Sequence, residues 1–325
     1  MIARRPTLTR NRRPLAALST LLATVLLCGC GLEAGTSTTT THSSLLVTQG
    51  FGAQIVLNLS TPKTVGADTV LGMLERNATV TAPKGGGSVV SIDGLAAGSS
   101  RGQATGWSFY VNGVRSTKSA AATKLHSGVQ VWWDRHDNAA AKTIAAVVGD
   151  YPAPFLGGYG GQRYPTRIEC TQTKAAACTN VLDQLATYGI PAALGCFECS
   201  EYNLSLRVLV GPYATMTADP AADELRDGPS TSGVYARFID HGSKLELLNA
   251  RGAVKQTFGA GTGLVAATRW HGEPPVWFIT GTDAAGVADA EQAFTAGTLD
   301  GHFAVAVVND IAEPLPLAPG SKSVS

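Results

Sequence analysis

The chain has 325 residues, of which 44% are hydrophobic and 15% are charged, and its formal net charge is +1. This length is enough for about two domains of ordinary size. The first 29 residues contain five arginines and no acidic residue, so the rest of the chain has a net charge of about −4. That balance argues against a nucleic-acid-binding protein, which needs a basic face.

The first thirty residues have the layout of a signal peptide. Five arginines precede the run from Leu15 to Leu27, which is apolar apart from three hydroxyl residues. About thirteen apolar residues are too few to span a hydrocarbon core of ~30 Å, and they fit the hydrophobic region of a signal peptide. The next residues, Leu27-Cys28-Gly29-Cys30, resemble a bacterial lipobox, whose last Cys is acylated. The resemblance implies a lipoprotein signal peptide at 1–29, lipidation of Cys30, and a location on the extracytoplasmic face of the cell membrane.

Three questions about this end of the chain stay open. The segment could be an ordinary secretory signal with an incidental Cys30. Cys28 is a rival acylation site, although Leu27 directly before it is a poor fit to the small residue that the signal peptidase prefers. Arg12-Arg13 loosely resembles a twin-arginine export signal, so the route of export is not decided.

Residues 30–43 are predicted to be a flexible tether. The stretch from Gly35 to Ser44 is small, polar and without periodicity, which is typical of a linker. A tether of this kind suits a domain held away from a membrane by a diacylglyceryl cysteine, whose two chains give stable anchoring.

Residues 44–138 alternate in the manner of strands around one helix. The helix is predicted over Thr69 to Asn77, with Asp68 or Thr69 as its N-cap. Asn112-Gly113 predicts a tight hairpin turn. One helix on a small mixed sheet is the β-grasp pattern. Strands are predicted on period two or as short apolar runs at Leu45–Val47, Ile55–Leu59, Ser88–Ile92, Trp107–Val111 and Val129–Asp134.

Five short segments of this half also carry a family resemblance: Thr48–Gly52, Thr69–Leu71, Ile92–Leu95, Gly106–Gly113 and Gly128–Asp134. Together they resemble the transcobalamin C-terminal-like domain of bacterial surface proteins, a member of the soluble-ligand-binding β-grasp superfamily. The resemblance implies a β-grasp domain at 44–138 and a small-molecule ligand such as a corrinoid. Animal cobalamin carriers close a helical-barrel domain over their ligand, and this sequence has no segment with the length and periodicity of one.

Aromatic residues within these segments are the predicted ligand contacts: Trp107, Tyr110, Trp132 and Trp133. Adjacent residues on a strand face opposite sides, so only one of Trp132 and Trp133 can face the core under the helix. The other is expected to be exposed, or covered by the second half of the chain. Core or rim packing is the alternative role for Trp107. The polar run Asp134–Asp137 is interpreted as a solvated strand end rather than a metal site.

Residues 143–317 are predicted to form a second, α+β domain, which makes the whole chain α+β. Two segments have similar sequence patterns, each with a predicted strand followed by an Ala-rich helix: Thr166 to Leu185 and Val276 to Thr295. Asp283 is predicted to cap the second of these helices. Gly259–Gly263 is interpreted as a turn, because a strand rather than a helix follows it.

Four cysteines remain once Cys30 is assigned to lipid: Cys170, Cys178, Cys196 and Cys199. An even number in an exported chain predicts two disulfides, with three connectivities open. The spacing of Cys196 and Cys199 also admits half a zinc site or a redox motif. Neither is favoured, since exported thiolates tend to oxidise and no helix is predicted to begin at Cys196.

The sequence contains no HExxH motif and no GxSxG motif, so we expect a protein that is not an enzyme and uses no cofactor or metal. The expected function is a membrane-anchored lipoprotein that binds or presents a ligand through its β-grasp domain. That ligand is a small molecule such as a corrinoid, or a cell-wall glycan. The alternative is a structural or adhesive cell-surface module with no small-molecule ligand.

Overall fold

A computed structural model describes residues 43–83, 87–100, 103–199 and 205–319. The predicted signal peptide, Cys30 and the tether apart from Ser43 lie outside the described residues. With about 21% of residues in helices and 37% in strands, the chain is of the α+β class, as predicted. Among the described helices, none is long and apolar enough to cross a membrane.

The described residues of the first half form nine strands and one helix. In chain order they are β1 Ser44–Gln49, β2 Gln54–Leu59, α1 Val70–Asn77, β3 Val80–Thr81, β4 Ser91–Ile92, β5 Leu95–Ala96, β6 Gly98–Ser100, β7 Gln103–Val111, β8 Val114–Arg115 and β9 Gln130–Asp137. Six of the strands form a mixed sheet in the order β2-β1-β9-β7-β6, with β8 paired to β7, and the short strands β3, β4 and β5 form a separate ribbon. Strand β1 runs parallel to β9, whereas the other pairs of the mixed sheet are antiparallel.

Helix α1 lies on one face of this sheet. Its N-cap is Thr69, whose side-chain oxygen accepts a hydrogen bond from the Gly72 N–H at 3.0 Å. Val70, Met73 and Leu74 on the helix are buried in a cluster that also contains Trp133 of β9. One helix on a mixed sheet is compatible with the β-grasp pattern.

In the described part of the second half there are ten strands and five α-helices. They are α2 Ala153–Gly157, β10 Thr166–Cys170, α3 Ala176–Thr187, β11 Ala192–Cys196, β12 Leu206–Pro212, α4 Pro220–Asp223, β13 Ala236–Ile239, β14 Lys244–Leu248, β15 Val254–Phe258, β16 Gly263–Thr268, β17 Val276–Gly281, α5 Ala284–Ala293, α6 Ala296–Leu299, β18 Ala304–Val308 and β19 Ile311–Leu315.

Seven of these strands form the main sheet of the second half, in the order β11-β10-β12-β17-β16-β18-β19. The four strands from β11 to β17 are parallel, and β16, β18 and β19 are antiparallel to their neighbours. The two segments with similar sequence patterns form β10 followed by α3, and β17 followed by α5. Asp283 caps α5, because its carboxylate accepts a hydrogen bond from the Gly286 N–H at 2.9 Å.

The two faces of the seven-stranded sheet are covered by different elements. Side chains of α3 and α5 pack on one face, and that cluster includes Val208, Val210 and Trp277. The other face carries Leu209 and Phe278, which share a cluster with the three-stranded sheet of β13, β14 and β15. Alternate residues of the central strands therefore enter two different cores, which explains their nearly continuous apolar sequence.

The sheet of the first half packs against the second half through a cluster of aromatic rings. Phe303, just before β18, contacts Phe51, Tyr110 and Trp132, with ring centroids 5.1–5.7 Å apart. Two glycines permit this close approach. A Cβ on Gly52 would lie 1.9 Å from the Gly301 carbonyl oxygen, and a Cβ on Gly149 would lie 2.8 Å from the Trp132 ring. The two sheets consequently share one hydrophobic core.

Candidate functional site

The predicted aromatic contacts do not form an exposed face. Tyr110, Trp132 and Trp133 are each at most 2% exposed, and only Trp107 is partly exposed. The Trp107 indole nitrogen donates a hydrogen bond to the Leu95 carbonyl at 3.2 Å. A ligand cannot reach the three buried side chains without displacing core residues, so the expectation that they form a contact face is corrected.

The two adjacent tryptophans do face opposite sides of β9, as the alternation of a strand requires. Trp133 lies in the core under α1, and Trp132 lies against the second half of the chain. Of the two expectations for the outward tryptophan, coverage by the second half is therefore the one observed. The Trp132 indole nitrogen donates to Thr48 Oγ1 at 2.8 Å, so this buried polar atom is satisfied.

The polar run at the end of β9 is buried rather than solvated. Asp134 and His136 are at most 2% exposed, and Asp137 is 6% exposed. The Asp134 carboxylate accepts hydrogen bonds from the N–H groups of Phe51 and Gly52 and lies 2.8 Å from His136 Nδ1. The interpretation as a solvated strand end is wrong, because these partners fold over the strand. No group of metal-ligating side chains occurs among the described residues.

A basic cleft lies where the hairpin of the first half meets a glycine-rich loop of the second half. It has a volume of about 470 Å³, within the range of small-molecule sites. None of the described residues lining it is acidic. Five basic side chains line the cleft and define it: Arg115, Lys118, Lys124, His126 and Arg269.

The Asn112-Gly113 turn positions the hairpin side of the basic cleft. Both residues have positive φ, at 49° and 71°, as the predicted tight turn requires. The buried Asn112 amide also donates to the Gly158 carbonyl at 2.7 Å and accepts from the Gln130 N–H at 2.8 Å. Asn112 therefore joins the turn to both β9 and the glycine-rich loop, a role that its sequence context did not indicate.

The buried Asp150 carboxylate also stabilises the Asn112-Gly113 turn. Asp150 is 5% exposed and accepts a hydrogen bond from the Gly113 N–H at 2.5 Å. Burial raises the pKa of Asp150 to about 7; the nearby Asp300 adds to the rise, and the Gly113 hydrogen bond opposes it. The Asn112-Gly113 turn is thus held by a buried carboxyl group whose pKa is raised toward neutral.

The opposite wall of the basic cleft is the loop around Tyr159. The Arg269 guanidinium lies over the Tyr159 ring, 5.2 Å from its centroid, and donates to the Glu273 carbonyl at 2.6 Å. These contacts hold Arg269 in place at the rim. A Cβ on Gly161 would lie 2.8 Å from His126 Nε2, so the loop and the His126 side chain are in close proximity.

A larger cavity of about 750 Å³ near Tyr213 differs in its electrostatics. Its arginines have acidic partners: Arg226 pairs with Asp223 at 2.8 Å, and Arg237 pairs with Glu246 at 2.5 Å. Among the described residues, the five basic side chains of the basic cleft form no such salt bridge. The smaller cleft therefore has the stronger attraction for an anion.

The four cysteines are paired locally. The structure contains the disulfides Cys170–Cys178 and Cys196–Cys199, one of the three connectivities left open by the sequence. The first joins the end of β10 to the first turn of α3 and is buried. The second closes the CxxC segment that begins with the last residue of β11, and it is exposed.

Comparison with known proteins finds one family. Residues 67–137 match the family described as "Domain of unknown function (DUF4430)", which is associated with transcobalamin-like domains. The match covers about a fifth of the chain and includes α1, β7 and β9. Four of the five basic side chains of the cleft, all but Arg269, lie within it. No curated protein and no solved structure matches the chain.

Proposed function

We propose that the protein is an extracytoplasmic, lipid-anchored ligand-binding protein whose basic cleft receives an anionic group of the ligand. The observation that carries the proposal is the grouping of five basic side chains without an acidic one in a cleft of small-molecule size. Like charges placed together repel each other, and a bound anion relieves that repulsion. Among the ligands expected from the sequence, corrinoids and cell-wall glycans, the proposal selects those that carry a phosphate or carboxylate group.

The position of the basic cleft supports the proposal. The cleft is formed by both halves of the chain, through Lys124 and His126 on one side and Arg269 on the other, and ligand sites occur preferentially at such junctions. The lipobox at Leu27 to Cys30 supports attachment to a membrane. The aromatic contacts first expected are replaced in this proposal by charged ones, because three of the four aromatic side chains are buried.

The test is a calorimetric titration of the mature chain carrying Cys30→Ala, which lacks the acylation site. The probes are cobalamin, a phosphate-bearing glycan fragment and a neutral oligosaccharide of similar size. A bound anionic probe should lose about tenfold or more in affinity in the double variant Lys118→Gln/Lys124→Gln, because each charge-assisted hydrogen bond is worth about 1.5–3 kcal/mol. Both lysines are exposed, and exposed substitutions usually change stability by no more than about 0.5 kcal/mol.

Lys255→Gln is the matched control, since Lys255 is an exposed lysine on β15 that does not line the basic cleft. Equal affinities in the control and the double variant would show that the ligand binds elsewhere. If no probe binds to the unsubstituted chain, the structural or adhesive alternative takes precedence.

A further inference from the structure

The exposed disulfide lies beside the buried one in the main sheet of the second half. Strands β10 and β11 are parallel, and Cys170 is paired in register with Cys196. Residues in register on neighbouring strands point to the same face, and the strands are about 4.8 Å apart. Cys170 and Cys196 therefore have adjacent side chains on one face of the sheet, at the ends of their strands.

The two disulfides differ in their access to solvent. Cys170 and Cys178 are 2% and 1% exposed. Cys196 and Cys199 are both exposed, and β11 is the edge strand of the sheet. A thiolate in solution can attack Cys196 or Cys199 directly, whereas the buried pair is shielded. Access is one of the factors that set the rate of thiol–disulfide exchange, so an external thiolate reaches the exposed pair first.

The loop that the exposed disulfide closes is conformationally strained. Glu198 lies between the two cysteines with φ of +58°, in the left-handed region that disfavours residues other than glycine. Phe197 is partly buried against a core cluster and fixes the loop on its inner side. The exposed disulfide thus lies in a loop whose position relative to the sheet is fixed by Phe197.

From these observations we propose that Cys196–Cys199 is a thiol–disulfide exchange site that passes reducing equivalents from an external dithiol to the buried Cys170–Cys178 pair. In the first step a thiolate of the dithiol attacks one sulfur of the exposed disulfide, and its second thiol resolves the mixed disulfide. The dithiol becomes a disulfide, and Cys196 and Cys199 become thiols, so two electrons and two protons enter the protein.

The second step is internal. The Cys196 thiolate attacks Cys170 Sγ, the Cys170–Cys178 bond breaks, and Cys178 leaves as a thiolate that takes up a proton. The Cys199 thiolate then attacks Cys196 Sγ, re-forms Cys196–Cys199 and releases Cys170 as a thiol. The sum of these steps reduces Cys170–Cys178 at the expense of the external dithiol. This frees the first turn of α3 from the end of β10.

The first test follows alkylation of the unsubstituted mature chain after addition of a stoichiometric amount of dithiothreitol. Samples are acid-quenched over time, labelled with N-ethylmaleimide and peptide-mapped. Label should appear first at Cys196 and Cys199, because only this pair is exposed, and then at Cys170 and Cys178 while the protein stays folded. Simultaneous labelling of all four cysteines, or labelling confined to either pair throughout, would overturn the proposal.

A pair of matched variants tests the internal step. In Cys199→Ser the remaining Cys196 thiol lies beside Cys170, so the map should show a Cys170–Cys196 disulfide and a labelled Cys178. In Cys196→Ser the remaining Cys199 is not paired in register with Cys170, and Cys170–Cys178 should stay intact. Identical maps for the two variants would exclude the role of Cys196. The time course on the unsubstituted chain decides the proposal if either variant does not fold.

Discussion

At the scale of single residues, the proposed anchor depends on Cys30. We expect Cys30→Ala to move the protein from the membrane fraction to the medium, or to leave the signal peptide uncleaved, because the acylated thiol is lost. Fractionation followed by intact-mass measurement distinguishes these results. Cys28→Ala is the control and should change neither the lipid mass nor the fractionation. A correctly cleaved Cys30→Ala protein that stays in the membrane would contradict the lipid assignment.

Residues whose partners are close in sequence were predicted more accurately than residues whose partners are distant. The Thr69 cap, the Asp283 cap and the Asn112-Gly113 turn were predicted because each depends on neighbours within a few positions. The burial of Asp134 was missed because its partners lie on a segment more than eighty residues away. From the sequence alone, Asp134 beside His136 was interpreted as solvated, since nothing local indicates the segment that covers it.

Asp150 gives a prediction of pH dependence. Its pKa in the folded protein is about 7, above the ordinary value of 3.8. A carboxyl whose pKa is raised by folding binds its proton more tightly in the folded state, so its contribution to stability is present below about pH 4. That contribution is lost as the pH rises toward and through 7. We therefore expect the free energy of unfolding to fall between about pH 4 and 7 for this reason.

Asp150→Asn removes this titration and keeps an oxygen that can accept the Gly113 N–H. The variant should show a flatter pH dependence over the same interval and greater stability than the unsubstituted chain at pH 8. Urea unfolding at several pH values measures both. Asp300→Asn should flatten the profile only slightly, because Asp300 is a secondary cause of the shift. Parallel profiles for Asp150→Asn and the unsubstituted chain would contradict the prediction.

At the scale of elements, the period-two patterns located β7 and β9, and the helical spacing located α1. The ends of these elements were predicted less accurately than their positions. Strand β9, for example, was predicted to end at Asp134 but continues to Asp137. The strand order of the seven-stranded sheet could not be read from the sequence, because its central strands are buried on both faces and their apolar runs specify no neighbour. The same limit applies to the junction of the two sheets.

The burial of both faces of β9 leads to a prediction about stability. Because Trp132 and Trp133 are each buried, Trp132→Ala and Trp133→Ala should both destabilise the protein by about 3–5 kcal/mol. Trp107→Ala, at a partly exposed position on β7, should cost less. Urea unfolding of the three variants provides the comparison. A near-neutral Trp132→Ala would mean that the second half does not cover this face in solution.

At the scale of the whole molecule, the basic cleft could not be predicted, since it joins side chains from the hairpin and from the region after β16. The sequence contained each basic residue but no local signal that relates Lys124 to Arg269. The strands of the two main sheets lie in separate parts of the chain, yet Tyr110 and Trp132 share a core with Leu209. The two halves of the chain thus form separate sheets but contribute side chains to the same hydrophobic core.

This shared core predicts how fragments behave. A fragment of residues 44–138 would expose Phe51, Tyr110 and Trp132, which are at most 7% exposed in the whole protein. We expect it to unfold without a cooperative transition and to bind a hydrophobic dye. Co-expression with residues 139–325 should restore cooperative unfolding. A fragment that unfolds cooperatively by itself would instead establish 44–138 as an independent domain.

The parallel pairing of β1 with β9 also sets an order of events during biosynthesis. Thr48 and Asp134, bonded side chains of the two strands, are 86 residues apart. At about 5–20 residues per second, β1 leaves the ribosome roughly 4–17 s before its partner. During that interval Leu45 and Val47 have no sheet to enter beyond the β2 hairpin. Until β9 has been synthesised, β1 can therefore pair only with β2.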